Sequence, residues 1–191
     1  MPKILVFIPY HEAKRYSLDN LFNWIQSADL KDCEIVLRVH KGPYGEYNEL
    51  KRQREFARVL AINNNFTHLF SIGVDTIPPL DVIPKLLAHN ADVVGGVYMS
   101  RKNEPTAIAW RDSVPPREFP KLFDGSLITV DGMGMDCVLF TRKALDSFSY
   151  NDWKVNDDDY PAYDILKEKG FKIYLDTSVV CKHYSSPTTF G

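Results

Sequence analysis

The stretch "THLFSIGVDTIPP", residues 67–79, decides the fold prediction. The apolar run 67–72 predicts a short buried strand. It leads to a single acid, Asp75, and then to Pro78 and Pro79, which cannot continue a strand inside a sheet. We therefore predict that the chain carries one carboxylate to the end of a buried strand and then leaves the sheet.

Apolar runs alternate with helical patterns along the rest of the chain. Strands are predicted at 3–8, 33–39 and 91–99, and helices at 17–28, 47–62 and 81–89, with Ser17 and Asp81 as N-caps. Later strands are predicted at 127–131, 136–141, 171–175 and 178–183, and a helix at 160–169, while 100–125 is predicted to hold short antiparallel strands and a long loop. This alternation indicates an α/β fold with a mostly parallel sheet.

Polar side chains follow the first three predicted strands. Tyr10 and His11 come after the first strand, His40 after the second and Asp75 after the third. Ligands of open α/β sheets bind outside the carboxyl ends of the strands. The sequence therefore predicts a binding site at this edge of the sheet.

Composition limits the classes of protein that fit the chain. The 191 residues are 45% hydrophobic, which suits one domain. Lysine and arginine number 23 against 25 acids, so there is no basic excess of the kind that marks nucleic-acid binding. The apolar runs are too short for a transmembrane segment, the N-terminus lacks a signal-peptide layout, and the three cysteines are scattered. We expect a reduced, cytoplasmic protein.

Four segments, taken in order and spacing, resemble a known family. They are "LVFIPYHEA" (5–13), the long stretch 51–101, "GMGMDCVLFTRKAL" (132–145) and "DDDYPAYDILKEKGFKIYLDTSVVCKH" (157–183). Together they resemble the small glycosyltransferases of family 2, of the kind found in microbes and viruses; a viral source would place the protein in the host cytoplasm. The resemblance implies a single-domain GT-A (Rossmann-like) fold with helices on both faces of the sheet and a small antiparallel addition. Residues 1–99 would form the nucleotide-binding half and 100–191 the acceptor and catalytic half.

The resemblance also implies an activity. Such an enzyme moves a sugar from a UDP- or GDP-sugar to a hydroxyl of a glycan, protein or lipid acceptor, with inversion at the sugar carbon. The family's metal-binding DxD motif here reads Gly73-Val74-Asp75, so its first acid is missing. The implied metal ligands are Asp75 and His183. The expected ion is Mn²⁺ or Mg²⁺, which suit carboxylate and phosphate oxygens, and the histidine favours Mn²⁺.

Donor-binding residues follow from the same match. They are Pro9, Tyr10, His11, Arg54, Gly73, Val74, Asp75, Arg101 and Gly134. Arg54 also has a physical argument of its own, because a helical wheel places it on the apolar flank of its helix with Ala57 and Ala61. A guanidinium in that position needs a route to solvent or an anionic partner, and either a diphosphate or a structural aspartate would serve as that partner. Glu55 is predicted to point away from this flank.

The proposed base lies in the acidic run before the last helix. Counting back from Gly170, the resemblance assigns the base to Asp159 and makes Asp158 the reserve. Acids that precede a helix also complement its dipole, so a structural role remains open. Trp110 and Phe119 could form a platform for an acceptor sugar or close the edge of the core.

The residues after the first strand argue against two other enzyme classes. A nucleotidyltransferase needs a glycine-rich phosphate loop after the first strand, and "FIPYHEAKR" contains no glycine. An aspartyl-phosphate phosphatase needs a nucleophilic aspartate there, and Pro9-Tyr10-His11 stand in its place. Loss of the first DxD acid leaves a third alternative, a catalytically inactive protein that binds sugar nucleotides.

Overall fold

The computed structural model describes residues 2–40, 47–101, 105–111, 123–152 and 160–185. In this part of the chain the main sheet has seven strands in the order β2-β1-β3-β9-β5-β10-β7. Their bounds are β1 Ile4–His11, β2 Cys33–His40, β3 His68–Ile72, β5 Val93–Val97, β7 Leu127–Val130, β9 Cys137–Thr141 and β10 Ile173–Val180. Strands β9 and β7 run against the other five, so the sheet is mostly parallel.

Helices cover both faces of this sheet. They are α1 Leu18–Ser27, α2 Tyr47–Asn63, α3 Val82–Ala88, α4 Arg142–Leu145 and α5 Tyr160–Glu168. Strand β1 alternates between two apolar clusters, with Leu5 and Phe7 on one face and Val6 and Ile8 on the other. Helices α2, α4 and α5 pack on the first face, and α1 and α3 on the second.

Two short ribbons make up the antiparallel addition. Strand β6 (Ala109–Trp110) pairs with β8 (Gly132–Met133), and β4 (Thr76–Ile77) pairs with β11 (Lys182–His183). These observations confirm the predicted fold class, an α/β sheet with helices on both faces and a small antiparallel part. None of the described helices is both long and apolar enough to cross a bilayer.

The end of the chain differs from the prediction of two separate strands at 171–175 and 178–183. Residues Ile173–Val180 form one continuous strand. Its central acid, Asp176, is buried and satisfied, because its carboxylate accepts hydrogen bonds from Ser178 N and Oγ and contacts His89 Nε2 at 2.8 Å. The hydrogen bonds of Asp176 satisfy its buried carboxylate within the strand, and the register of the pairing with β5 shifts between Asp176 and Val180.

The two predicted helix caps are wrong in their chemistry. Ser17 stands at the N-cap of α1, but its hydroxyl donates to Lys14 O instead of accepting from the helix. A 3-10 helix, Glu12–Ser17, already leads into α1, so the first turn has other partners. Asp81 precedes α3 and forms an ion pair with Lys85 rather than a cap.

Candidate metal and donor site

Asp75 lies just beyond the carboxyl end of β3 and is completely buried. Its Oδ1 accepts a hydrogen bond from Lys14 Nζ at 3.0 Å, and its Oδ2 accepts one from the Tyr16 hydroxyl at 3.2 Å and another from Arg101 Nη2. A buried carboxylate is stable only with partners of this kind. The 3-10 helix after β1 supplies two of them, and His11 Nδ1 caps that helix by accepting from Ala13 N.

His183 reaches Asp75 through the β4–β11 ribbon. The ribbon pairs His183 with Thr76, and Tyr184 N donates to Asp75 O at 2.8 Å. The imidazole Nε2 lies 3.9 Å from Asp75 Oδ2. The structure therefore brings together the two residues that the resemblance implied as metal ligands.

The environment of His183 suits a metal ligand. Its Nδ1 donates to Met99 O at 2.7 Å, which leaves the lone pair on Nε2, facing Asp75. Burial lowers the pKa of His183, and the nearby Arg101 and Lys14 charges act in the same direction. A neutral imidazole is the form that binds a metal.

Asp136 is a second acid and a third candidate ligand at the site, and the sequence analysis missed it. It directly precedes β9, which runs antiparallel to β3 and pairs Cys137 with Ile72. Gly73 N donates to Asp136 O at 3.0 Å. A Cβ on Gly73 would stand 2.6 Å from Asp136 Cγ, so the carboxyl of Asp136 fills the space that a side chain at position 73 would need. The space beside Gly73 is thus filled by a carboxylate that the chain supplies just before β9.

Asp75, Asp136 and His183 form a cluster that can hold a metal ion. One ligand atom from each residue lies within 4.8 Å of the other two. Two carboxylates and one neutral imidazole are a donor set that Mn²⁺ and Mg²⁺ accept, with open positions left for other oxygens.

Three basic side chains face these acids. Arg54 lies on the buried flank of α2, as the helical wheel predicts, and its Nη2 is 3.6 Å from Asp136 Oδ1. Lys14 and Arg101 contact Asp75 as described above. Of the two partners left open for Arg54, the structure shows an aspartate.

The glycines of the loop before β9 allow close packing around Asp136. A Cβ on Gly134 would overlap the hydroxyl of Tyr98, which accepts a hydrogen bond from Asp136 N at 3.3 Å. The Tyr98 ring also meets the His183 ring edge-on, with centroids 5.4 Å apart. Gly134 therefore acts on the site through Tyr98, whose hydroxyl takes the space that a Cβ at position 134 would need.

Other predicted site residues have structural contacts. Tyr10, beyond Pro9 on β1, packs against the apolar cluster on the α1 face, and Val74 is buried in the same cluster. Trp110 packs edge-on against Tyr163 with centroids 5.7 Å apart, which fits its alternative role at the edge of the core. Asp158, Asp159 and Phe119 lie outside the described residues.

Glu55 points away from the apolar flank of α2, as predicted, but it is not left to solvent. Its carboxylate binds Arg58 Nε and Nη2 and accepts from Ser149 Oγ and Tyr150 N. The sequence pattern placed it on a polar face, and the loop after α4 covers that face.

This architecture is similar to that of two solved structures. No protein-family profile and no curated protein sequence matches the chain. Among solved structures, A197 from STIV superposes with a TM-score of 0.71 at 20% identity, over 97% of this chain and 87% of that one. GalNAc-T7, solved with UDP, GalNAc and Mn²⁺, superposes with a TM-score of 0.67 at 12% identity, over 98% of this chain and 46% of that one. This chain thus spans less than half of GalNAc-T7, and what the two likenesses establish is a GT-A-like fold.

Proposed function

We propose that this protein is a glycosyltransferase that moves a sugar from a nucleotide-diphosphate donor to an acceptor hydroxyl. The observation that carries the proposal is the Asp75–Asp136–His183 cluster at the carboxyl edge of a GT-A-like sheet. A solved protein of the same fold, GalNAc-T7, contains UDP, GalNAc and Mn²⁺, which supports a UDP-sugar as donor and Mn²⁺ as the ion. GDP-sugars and Mg²⁺ are the alternatives to be tested beside them.

The charges around the cluster suit a diphosphate. Three cations, Lys14, Arg54 and Arg101, are grouped with the carboxylates of Asp75 and Asp136. When bound, a divalent ion would neutralise the charge that develops on the leaving diphosphate. Lys14 and Arg54 hold the two carboxylates in place, and their positive charge adds to the attraction for phosphate.

The transfer step needs a base on the acceptor side of the sugar. We assign it to Asp159, with Asp158 as the reserve, because the resemblance to family-2 glycosyltransferases matches these two residues to that family's acidic pair, the second of which is the base. The carboxylate takes the proton of the acceptor hydroxyl as the oxygen bonds to the sugar carbon, and the bond from that carbon to the diphosphate breaks. A single attack of this kind inverts the sugar carbon. The acceptor is a glycan, a protein or a lipid.

A second function is favoured by the two ion pairs of Asp75. Both oxygens of Asp75 are already paired with cations, Oδ1 with Lys14 and Oδ2 with Arg101. A protein that only binds sugar nucleotides needs no metal if these cations take its place.

In either case, the free state of all three cysteines is in keeping with a cytoplasmic location.

A sugar-nucleotide screen separates these functions. Thermal stabilisation by UDP- and GDP-sugars is measured with Mn²⁺ present, and donors that bind are then followed by NMR for hydrolysis or transfer. We expect one donor to be turned over with inversion, and Asp159→Asn to abolish turnover while keeping donor binding. Donor binding without turnover in the unmodified protein would favour the binding protein, and a product with retained configuration would refute the role of Asp159.

A further inference from the structure

We infer that Arg101 is a resident counter-ion of the metal site, so that a divalent ion binds Asp75 and His183 only by displacing the Arg101 guanidinium. This inference rests on the metal site of the proposed function and not on the identity of the donor.

The position of one nitrogen atom is the first support. Arg101 Nη2 bonds to Asp75 Oδ2 and lies 2.5 Å from His183 Nε2, and those two atoms are 3.9 Å apart. A divalent ion binds such oxygen and nitrogen atoms at about 2.0–2.2 Å. Since 3.9 Å is just under twice that length, an ion bound to both atoms would lie between them. That is the place of Nη2, so the ion and the guanidinium exclude each other.

The orientation of His183 is the second support. Its Nδ1 proton is committed to Met99 O at 2.7 Å, so Nε2 offers a single lone pair to the site. Arg101 Nη2 donates to that lone pair. A metal ion would use the same lone pair, and the imidazole cannot serve both partners at once.

Arg101 is also the cation that can leave. Its side chain is 30% exposed, whereas that of Arg54 is 5% exposed. Lys14 binds the other oxygen of Asp75, Oδ1, so an ion on Oδ2 leaves this ion pair intact. Of the two cations that contact Asp75, displacement therefore concerns Arg101 and not Lys14.

Lys14 provides a matched comparison for the experiment. Removing either cation takes one positive charge from Asp75 and so raises the attraction for Mn²⁺ by simple electrostatics. Only removal of Arg101 also empties the position between Oδ2 and Nε2. Arg52, an exposed residue of α2 that pairs with Glu49, controls for the loss of a charge at a distance.

Mn²⁺ binding is measured by EPR and calorimetry, without nucleotide, on the unmodified protein and on Arg101→Met, Lys14→Met and Arg52→Met. We expect Arg101→Met to bind Mn²⁺ about tenfold tighter than the unmodified protein, a typical size for coupling between two ligands. Lys14→Met should gain clearly less and Arg52→Met nothing. Thermal unfolding of each variant confirms that it is folded.

Three results would overturn the inference: equal Mn²⁺ affinity in the unmodified protein and Arg101→Met, an equal gain in Lys14→Met, or no Mn²⁺ binding in any variant. Failure of the proposed function looks different, because then Arg101→Met gains Mn²⁺ affinity but no sugar nucleotide binds to any of the proteins.

Discussion

The carboxyl of Asp136 occupies the space that a side chain on Gly73 would fill, with its Cγ 2.6 Å from the position of a Cβ there. The two residues lie at the ends of neighbouring antiparallel strands and are joined by the Gly73 N to Asp136 O hydrogen bond. Because Gly73 has no side chain, the Asp136 carboxylate has room to lie beside Asp75 as a second acid.

Gly73→Ala should move the Asp136 carboxylate away from Asp75. Its methyl group would stand closer to Asp136 Cγ than the normal carbon contact of about 3.5–4.0 Å, so the carboxylate must move away from Asp75. We expect a loss of about 1–3 kcal/mol in the free energy of unfolding, typical of overpacking, together with weaker Mn²⁺ binding. Denaturant unfolding and calorimetry measure the two effects.

The exchanged pair Gly73→Asp with Asp136→Gly gives a sharper version of this test. If the acid matters for its position and not for its strand of origin, the double variant should bind Mn²⁺ better than Asp136→Gly alone. Mn²⁺ affinity in Asp136→Gly equal to that of the unmodified protein would show that Asp136 is not a ligand.

Changes at Arg54 and at Asp136 should have non-additive effects on the free energy of unfolding. Arg54 is buried and its Nη2 lies 3.6 Å from Asp136 Oδ1, so Arg54→Met removes the partner of a partly buried charge. The expected loss is about 1–3 kcal/mol in the free energy of unfolding. Arg54→Met combined with Asp136→Asn should lose less than the sum of the single changes, because each change removes the same interaction. Additive losses in denaturant unfolding would show that the two residues act independently.

Glu55 should make the protein sensitive to acid. Burial acts to raise the pKa of Glu55, but hydrogen bonds from Arg58, Tyr150 N and Ser149 outweigh it and hold the pKa below its ordinary value of 4.5. A lowered pKa in the folded state stabilises the fold above pH 4.5, and this contribution is lost as the pH falls through the folded-state pKa. Glu55→Gln should therefore have a lower free energy of unfolding than the unmodified protein at pH 7. As the pH falls below 5, the free energy of unfolding should decrease less in Glu55→Gln than in the unmodified protein. An unchanged pH profile in thermal unfolding would contradict this assignment.

The divalent ion and the diphosphate should bind cooperatively. A displaced Arg101 guanidinium is free to pair with phosphate oxygens, which it can bind bidentately. UDP or GDP should then tighten Mn²⁺ binding more in the unmodified protein than in Arg101→Met. Calorimetric titration of Mn²⁺ with and without the nucleotide measures this difference. Equal tightening in both proteins would mean that Arg101 does not take up the phosphate.

The sequence alone predicted the site residues that come directly after a predicted strand. The apolar run before Asp75 and the two prolines after it are local signals, and they located the acid at the sheet edge correctly. His183 was found only through the resemblance, since the ribbon that brings it to Asp75 pairs residues far apart in sequence.

Asp136 could not be found in this way. Its place beside Gly73 depends on β9 inserting between β3 and β5 in the antiparallel direction, and no local pattern specifies that neighbour. The one available signal was the coincidence of a glycine where an acid was expected and an unassigned acid before a later strand. Asp176 was overlooked for a related reason, since its hydrogen bonds to Ser178 let a polar residue remain inside a strand.

The most direct test of the account is a crystal of the protein grown with Mn²⁺ and UDP or GDP, with anomalous data that locate the ion. We predict one Mn²⁺ peak between Asp75, Asp136 and His183, in contact with the diphosphate, and Arg101 turned away from His183 Nε2. A diphosphate bound to Lys14 and Arg101 with no Mn²⁺ peak among these three residues would contradict it.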